Sequence, residues 1–295
     1  MKPPPFEYRA PDSLGEALDL MGEHGWDAKP LAGGQSLVPA MNFRLAAPAI
    51  LVDLQRIDGL AGIRETDGGL AIGAMTTQRE AERSDRVAGL APLLHEAMPF
   101  VAHPQIRNRG TVGGSVAHAD PAAELPAVLL ALGASFRAAS RDEPGGRWID
   151  AADFFQGLFA TALSPEELLV EVAVPAPAAR SGAAFDEFSR RHGDYALAGV
   201  AAVVELDEAG RCADARATLL SVADGPFVAE AVPATLAGEE PTGEALADAA
   251  AAVAAEIDPP SDIHASAEYR RHLAEVLVRR TLGRAAGRAR GDVAP

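Results

Sequence analysis

The first fifty residues alternate apolar and polar positions in a way that predicts a small α/β lobe. Leu14, Leu18 and Met21 recur at helical spacing, and Asp12 or Ser13 can serve as the N-cap, so we predict a helix over residues 12–21. The same pattern then predicts a short strand over residues 30–32, a helix over residues 36–44 and a buried strand over residues 50–54.

The next part of the chain begins with a predicted β-hairpin. Residues 62–66 and 69–73 read as strands on either side of Asp67 and Gly68, a pair that favours a tight turn. The elements predicted after it are a helix that starts at Thr76 or Thr77, helices over residues 90–98 and 122–131, and strands over residues 134–138 and 168–174. The paired prolines of residues 175–179 then indicate an extended linker.

Beyond the linker the pattern predicts consecutive strands followed by helices, which is typical of an α+β domain. The strands cover residues 185–191, 198–206 and 215–222, and short turns between them predict an antiparallel meander. The helices cover residues 241–256 and 267–284. The apolar stripes expected on them are Leu246, Ala249, Ala250 and Val253 on the first, and Tyr269, Leu273, Val276, Leu277 and Arg280 on the second. Residues 284–290 are arginine-rich and predict a frayed, solvated tail, with a basic partner-binding tail as the alternative.

Length and charge narrow the function classes. A chain of 295 residues favours two domains. A net charge of −16 argues against a nucleic-acid-binding surface, which needs clustered Lys and Arg. The single cysteine, Cys212, excludes a disulfide within the chain and a cluster held by its own cysteines, and we expect it to be structural. No apolar run predicts a signal peptide or a membrane span, so we expect a cytoplasmic protein.

Two glycine pairs are the candidate chemistry. Gly33-Gly34 and Gly113-Gly114 each sit in a segment that we expect to be a loop, where glycine allows positive φ and lets a ligand approach the backbone. Exposed N–H groups there could converge on phosphate, although a paired glycine alone more often only makes a turn. Neither segment matches a Walker A or a Rossmann motif, and nothing in the sequence indicates a metal site or a serine hydrolase.

The flanking residues carry a family resemblance. Residues 31–39 read LAGGQSLVP and residues 104–121 read PQIRNRGTVGGSVAHADP. Together they closely resemble the FAD-binding medium subunit of molybdenum hydroxylases, the carbon monoxide dehydrogenase and xanthine dehydrogenase type. The likeness spans nearly the whole chain, and the second motif is the more specific one.

This resemblance implies a fold of the vanillyl-alcohol-oxidase type, in an α+β chain. The FAD-binding domain would cover residues 1–176, as two α/β subdomains of about 1–54 and 55–176. A C-terminal domain, an antiparallel sheet with helices, would cover residues 177–295. FAD would lie between the two subdomains and be held without a covalent bond.

Site residues are carried over from the same resemblance. The pyrophosphate would be wrapped by two segments, Leu31, Ala32, Gly33, Gly34, Gln35, Ser36 and Leu37 on one side and Thr111, Val112, Gly113, Gly114 and Ser115 on the other. Glu124 would hold ribityl or ribose hydroxyls in place of an Asp. Val101 and Leu169 would line the cofactor, and Tyr195 would cover the isoalloxazine ring or, alternatively, only pack between the domains.

Three departures from the family pattern stand out. Gln35 replaces a common His and Ser115 a common Asn, but both retain hydrogen-bonding groups. Asp186 stands where some relatives have a Lys near the flavin, and Arg190 or Arg191 could supply that positive charge instead.

The implied function is electron transfer, with no catalytic acid or base on this chain. A large partner would hold the molybdenum cofactor and a small partner the 2Fe–2S clusters, assembled as a dimer of heterotrimers. FAD on this chain would pass the electrons to NAD, a quinone or another acceptor. Two alternatives remain open: a self-contained FAD oxidoreductase with its own substrate, and a scaffold subunit that has lost its flavin.

Overall fold

The computed structural model describes residues 1–292, and it begins with the small α/β lobe that the sequence predicts. Three parallel strands form a sheet in the order β1-β3-β2. The elements are β1 (Glu7–Arg9), α1 (Leu14–His24), β2 (Ala28–Leu31), α2 (Leu37–Asn42) and β3 (Ile50–Asp53). Of the two cap candidates, Ser13 caps α1 by accepting a hydrogen bond from the Glu16 N–H, and Gly25 ends the helix.

A five-stranded antiparallel sheet forms the centre of the next part of the chain. Its order is β4-β5-β10-β6-β7, with β4 (Ile63–Thr66), β5 (Gly69–Gly73), β6 (Ser135–Ala139), β7 (Arg147–Asp150) and β10 (Leu168–Pro175). The hairpin around Asp67 and Gly68 is confirmed. Phe136 and Phe154 are fully buried in the core between this sheet and its helices.

The helices on this sheet differ from the prediction at two places. Thr77 begins α3 (Gln78–Glu82) through a capping box with Glu80, as expected. The helix predicted over residues 90–98 is α5 (Pro92–Ala97), which begins at Pro92, and a helix that was not predicted, α4 (Asp85–Leu90), precedes it. The elements that follow are α6 (Pro104–Arg107), α7 (Val112–His118), α8 (Glu124–Ala131), α9 (Ala151–Phe154), β8 (Phe155–Gly157) and β9 (Ala160–Thr161).

The prediction that residues 111–115 form a loop is therefore wrong. Gly113, Gly114 and Ser115 lie in the first turn of α7, and Thr111 is its N-cap. The Thr111 hydroxyl accepts a hydrogen bond from the Gly114 N–H at 3.0 Å. Thr111 thereby stabilises a helix start that the low helix propensity of two glycines disfavours.

The C-terminal part is an antiparallel sheet covered by helices, and the predicted meander is confirmed. The strands are β11 (Ser181–Ser189), β12 (Ala196–Leu206), β13 (Cys212–Leu220) and β14 (Phe227–Val228). The helices are α10 (Ala231–Leu236), α11 (Gly243–Glu256) and α12 (Ala267–Arg290). The stripe predicted on α11 is buried, but on α12 Tyr269, Val276 and Arg280 are exposed, and Ala274, Val278 and Thr281 are buried in their place.

The arginine-rich segment of residues 284–290 belongs to α12 and is not a frayed tail. Arg288 NH1 lies 2.5 Å from Glu96 Oε2, on α5 of the preceding part of the chain, and bonds the Ala183 carbonyl of β11. Arg284 bonds the Phe185 carbonyl. The last turns of α12 thus fasten the C-terminal sheet to the helices of the central sheet. Within residues 1–292, no helix combines the length and the apolar character needed to cross a membrane.

Candidate cofactor site

The first glycine segment leaves a run of backbone N–H groups without a protein partner. Among residues 1–292 no acceptor is assigned to the N–H groups of Gly33, Gly34, Gln35, Ser36 and Leu37. Gly34 adopts φ +73°, a conformation that glycine takes without strain. Consecutive N–H groups in such a turn form a concavity that binds anions, so this segment fits the pyrophosphate of a dinucleotide.

The Gln35 side chain helps to hold that turn in shape. Its amide nitrogen donates to the Gly33 carbonyl at 3.0 Å, which ties the two ends of the turn together. A glutamine at this position therefore has a structural role within the segment, besides whatever it contributes to a ligand.

The second glycine segment is different, because the backbone N–H groups of residues 112–115 are already used. The Val112 and Gly113 N–H groups donate to the carbonyls of Thr76 and Ala74, each at 2.9 Å, and the Ser115 N–H donates to the Thr111 carbonyl. Residues 111–115 were expected to offer backbone N–H groups to phosphate; those of residues 112–115 are used within the chain, so for them the expectation is wrong. For Thr111, to whose N–H no acceptor is assigned among residues 1–292, it stays a prediction. What this side presents are hydroxyl groups: that of Thr111, whose proton is free to donate, and that of the half-buried Ser115.

The two segments touch, and glycine is needed where they do. A Cβ atom on Gly33 would overlap the Arg109 carbonyl and lie 2.8 Å from the Gly110 Cα. A Cβ on Gly114 would lie 2.7 Å from the Thr111 hydroxyl and 3.3 Å from the Ala32 side chain. The fold thus brings together the two motifs that the sequence separates by about seventy residues, and it does so through backbone contact.

Glu124 and Tyr195 lie close to one another beside this junction. Glu124 opens α8 and is 7% exposed, and burial raises the pKa of its carboxyl to about 7, with a further contribution from Asp120. Tyr195 ends the loop before β12 and is 68% exposed. Burial of its hydroxyl, together with Asp120 and Glu124, raises the pKa of the Tyr195 phenol. The Tyr195 ring is exposed and therefore accessible to a flat ligand.

Val101 and Leu169 are both nearly buried in the protein itself. Val101 is 7% exposed and follows a short 3₁₀ turn, and its carbonyl accepts a hydrogen bond from Arg107. Leu169 is 6% exposed and lies in β10 next to Val170, whose carbonyl bonds the Ala74 N–H beneath Gly113. Both residues therefore lie close to the second segment, and their contact with a cofactor stays a prediction.

The charged residues considered as replacements for a flavin-side lysine have other partners. Asp186 pairs with Arg280 at 2.7 Å, so a residue of α12 neutralises it. Arg190 pairs with Asp194 at 3.0 Å, and Arg191 lies 3.6 Å from the same carboxylate. Cys212 is buried in β13, and burial raises the pKa of its thiol to about 11, which agrees with a structural cysteine.

A buried ion pair inside the second motif was not anticipated from the sequence. Arg107 is 4% exposed and makes a two-pronged contact with Glu82, through Nε at 2.9 Å and NH2 at 3.1 Å. The pair joins α6 to α3 across 25 positions of sequence. An arginine in a motif rich in charged residues looks like a solvated side chain, and only its fold shows that it is buried.

Comparison with known proteins identifies related chains along nearly the full length. Residues 4–177 match the family model described as the FAD binding domain in molybdopterin dehydrogenase. Residues 183–285 match the CO dehydrogenase flavoprotein C-terminal domain.

Individual relatives agree with these matches. The alpha subunit of the 6-hydroxypseudooxynicotine dehydrogenase complex of Paenarthrobacter nicotinovorans is 47% identical, over 98% of this chain and 97% of its own. The carbon monoxide dehydrogenase medium chain of Afipia carboxidovorans is 41% identical, over 98% of this chain and 100% of its own. A solved carbon monoxide dehydrogenase of Hydrogenophaga pseudoflava superposes with a TM-score of 0.93 at 43% identity, over 98% of this chain and 99% of that chain.

Proposed function

Because this chain belongs to the family of FAD-binding subunits of molybdopterin dehydrogenases, we propose that it is the FAD-holding electron-transfer chain of a three-component molybdenum hydroxylase. It contains an FAD-binding domain and is the flavoprotein subunit of an oxidoreductase. Bound FAD supplies the redox chemistry, taking electrons from one partner and passing them to an acceptor. The residues of this chain hold, orient and shield that cofactor.

One observation carries the proposal. The N–H groups of residues 33–37 form an anion-binding turn whose donors have no partner in the described chain, directly against the start of α7. A run of donors used within the protein would argue for a purely structural turn, whereas these solvent-accessible N–H groups are free to bind an acceptor such as a pyrophosphate.

The other predicted residues complete the holding site. Thr111 and Ser115 would donate their hydroxyl protons to phosphate from the opposite side. Glu124 would accept hydrogen bonds from ribityl or ribose hydroxyls, with Val101 and Leu169 against the cofactor. Tyr195 would lie over the flavin ring, where it restricts the approach of oxygen.

The remaining chemistry belongs to partner chains. The curated relatives are named as medium chains or subunits of multi-component dehydrogenases, and we propose a large chain with the molybdenum cofactor and a small chain with 2Fe–2S clusters. We further propose a dimer of such heterotrimers in the cytoplasm, with NAD or a quinone as acceptor. Relatives named for carbon monoxide, caffeine and nicotine all match nearly the whole of this chain, and we propose that the large chain, not this one, selects the substrate.

The domain division of the chain follows from the same proposal. Residues 1–176 would form the FAD-binding domain, with subdomains of about 1–54 and 55–176, and residues 177–295 the C-terminal domain. Residues 293–295 of that last domain lie outside the described part of the structure.

The experiment measures FAD released by acid from the complex purified with its partner chains. We expect one FAD for each copy of this chain in the wild type. Gly34→Val should abolish FAD retention while the complex still assembles, because a β-branched residue at φ +73° would distort the turn that presents the N–H groups.

Gly210→Val is the matched control. Gly210 adopts φ +78° in the turn between β12 and β13, with open space around its Cβ position. It imposes the same backbone strain in the other half of the chain and should leave the FAD content unchanged. A wild-type complex without flavin, or full FAD in the Gly34 variant, would contradict the proposal.

A further inference from the structure

Arg107 is a buried cation whose whole guanidinium is used within the protein. Besides its two bonds to Glu82, NH1 donates to the Val101 carbonyl at 2.8 Å and to the Ala102 carbonyl at 3.3 Å. Burial disfavours a charged Glu82, but the hydrogen bonds from Arg107 and Arg79 outweigh it and lower the pKa of that carboxyl. The pair is therefore ionised and fixed in one geometry.

These bonds set the backbone of residues 101–102. Ala102 adopts φ +44°, a left-handed conformation that is unfavourable for alanine. Arg107 NH1 donates to the carbonyls of Val101 and Ala102, which lie on either side of the Ala102 N–H. These two hydrogen bonds stabilise the turn. Val101, a predicted cofactor-lining residue, is thus held by Arg107 through its own carbonyl.

The same turn supports the loop that carries Tyr195. A Cβ atom on Gly193 would overlap the His103 ring and lie 2.7 Å from the Ala102 carbonyl, so the loop rests directly on both residues. Gly193 adopts φ +79°, and Tyr195 follows two residues later. A displacement of residues 102–103 therefore reaches Tyr195 through contacting atoms.

Arg107 also acts electrostatically on Glu124, a third residue predicted at the cofactor. Its cation favours the ionised form of Glu124, against the burial and the Asp120 charge that raise the pKa of that carboxyl. One guanidinium therefore touches or influences three of the residues predicted at the cofactor: Val101 by a hydrogen bond, Tyr195 through the His103–Gly193 contact, and Glu124 electrostatically.

We propose that Arg107 is the positioning residue that couples the flavin site of the FAD-binding domain to the Tyr195 loop of the C-terminal domain. The inference rests on the proposed function, since it assumes that Tyr195 covers bound FAD. The Arg107–Glu82 salt bridge would keep the Tyr195 ring over the flavin by fixing the backbone of residues 101–103, on which the Tyr195 loop rests.

The test uses the FAD-loaded complex and Arg107→Lys, which keeps the charge and loses the two-pronged geometry. The readouts are the fluorescence of bound FAD, which a tyrosine over the ring quenches, and the rate at which dioxygen reoxidises the chemically reduced flavin. Both should rise roughly fivefold, the change that the loss of one net hydrogen bond brings to a loop equilibrium. FAD content should stay at the wild-type level.

Arg86→Lys is the control, since Arg86 pairs with Glu65 at 3.5 Å on the exposed surface of the same part of the chain. It should leave both readouts unchanged. An Arg107→Lys complex that keeps its FAD and matches this control would overturn the inference. A wild-type complex that holds no FAD would instead refute the proposed function, so the two failures are distinct.

A second variant decides the matter if Arg107→Lys loses its cofactor or fails to fold. His103 is exposed, so His103→Ala removes the support of the loop at little cost to stability. It should raise fluorescence and dioxygen reactivity as Tyr195→Ala does, and combining it with Tyr195→Ala should add nothing. An unchanged His103→Ala complex, or additive effects in the double variant, would overturn the inference.

Discussion

Individual glycines in the two motifs serve the fold in a way that the sequence does not reveal. Gly33 is needed because the Arg109 carbonyl occupies the space where a side chain would stand, and Gly113 because Ala74 does the same beneath α7. Gly34, with its positive φ, shapes the turn that we propose to bind the pyrophosphate. The motif is therefore as much a description of how two segments pack as of how they bind a ligand.

Glu187 is the residue whose environment departs furthest from what its type prefers. One of its carboxyl oxygens is buried, and no hydrogen-bond partner is found for it in the described chain. Burial, with the neighbouring charges of Glu124 and Asp186, raises the pKa of Glu187 from 4.5 to about 9. The folded protein thus keeps this carboxyl protonated at neutral pH, while the unfolded chain ionises it.

A pH-dependent stability follows for the cofactor-free chain. The pKa of Glu187 is higher in the folded protein than in the unfolded chain. The contribution of this carboxyl to the free energy of unfolding is therefore fully present below pH 4.5 and is lost as the pH rises towards 9. Glu187→Gln cannot ionise, so it should raise the thermal midpoint at pH 8 by roughly 3 °C or more. At pH 4 it should change the midpoint little.

Differential scanning calorimetry at the two pH values measures this effect. Glu208→Gln provides the control, because Glu208 is exposed in the turn between β12 and β13. An equal shift of the Glu187 variant at both pH values would mean that the ionisation of this carboxyl does not control the stability.

At the scale of elements, the sequence predicted the helix starts and turns that depend on neighbouring residues alone. Ser13 and Thr77 cap their helices as expected, and the hairpin at Asp67 and Gly68 forms. The second glycine segment could not be predicted as a helix, because its start depends on the distant carbonyls of Thr76 and Ala74. Long-range hydrogen bonds thus stabilise the start of α7 despite the low helix propensity of its glycines.

The end of α12 is the second element that local signals misjudge. Its arginines look like a solvated tail because their partners, Glu96 and the carbonyls of β11, lie about one hundred to two hundred positions away in sequence. The buried face of α12 also differs from the predicted stripe because of a contact with a residue distant in sequence. Gly182 of β11 has no side chain, so the helix backbone at Ala285 contacts the strand directly.

Replacing Arg284 and Arg288 should weaken the contact between the C-terminal sheet and the helices of the central sheet. In Arg284→Ala/Arg288→Ala the Glu96 carboxylate and two carbonyls lose their partners, and we expect the thermal midpoint to fall by roughly 5 °C. Thermal unfolding followed by circular dichroism measures it. Arg279→Ala, on the exposed face of the same helix, should shift the midpoint by no more than about 1 °C. Equal shifts in both proteins would show that the contact carries no stability.

At the scale of the whole molecule, the site could be predicted only in part. The glycine pairs by themselves indicate possible anion-binding turns, and the resemblance to a family turned them into two sides of one FAD site. In the structure the two sides differ: the N–H groups of residues 33–37 have no assigned acceptor, whereas those of residues 112–115 are used within the chain, which leaves mainly hydroxyl groups on that side of the proposed site. The Arg107–Glu82 pair and the burial of Glu124 are products of tertiary packing, which no single segment of the sequence encodes.

The whole molecule also explains why this chain needs partners. Its one cysteine is buried and structural, so an iron–sulfur cluster ligated by cysteines must be on another chain if electrons reach FAD through one. We therefore propose that FAD on this chain connects the clusters of a partner to an external acceptor.

The most direct measurement of that claim removes FAD from the purified complex and leaves the clusters in place. The clusters are then reduced chemically under anaerobic conditions, and their reoxidation by NAD⁺ or a soluble quinone is followed from the visible absorption of the clusters. We predict slow reoxidation without FAD and fast reoxidation once FAD is added back, for at least one of the two acceptors. Equally fast reoxidation with and without FAD would contradict the account.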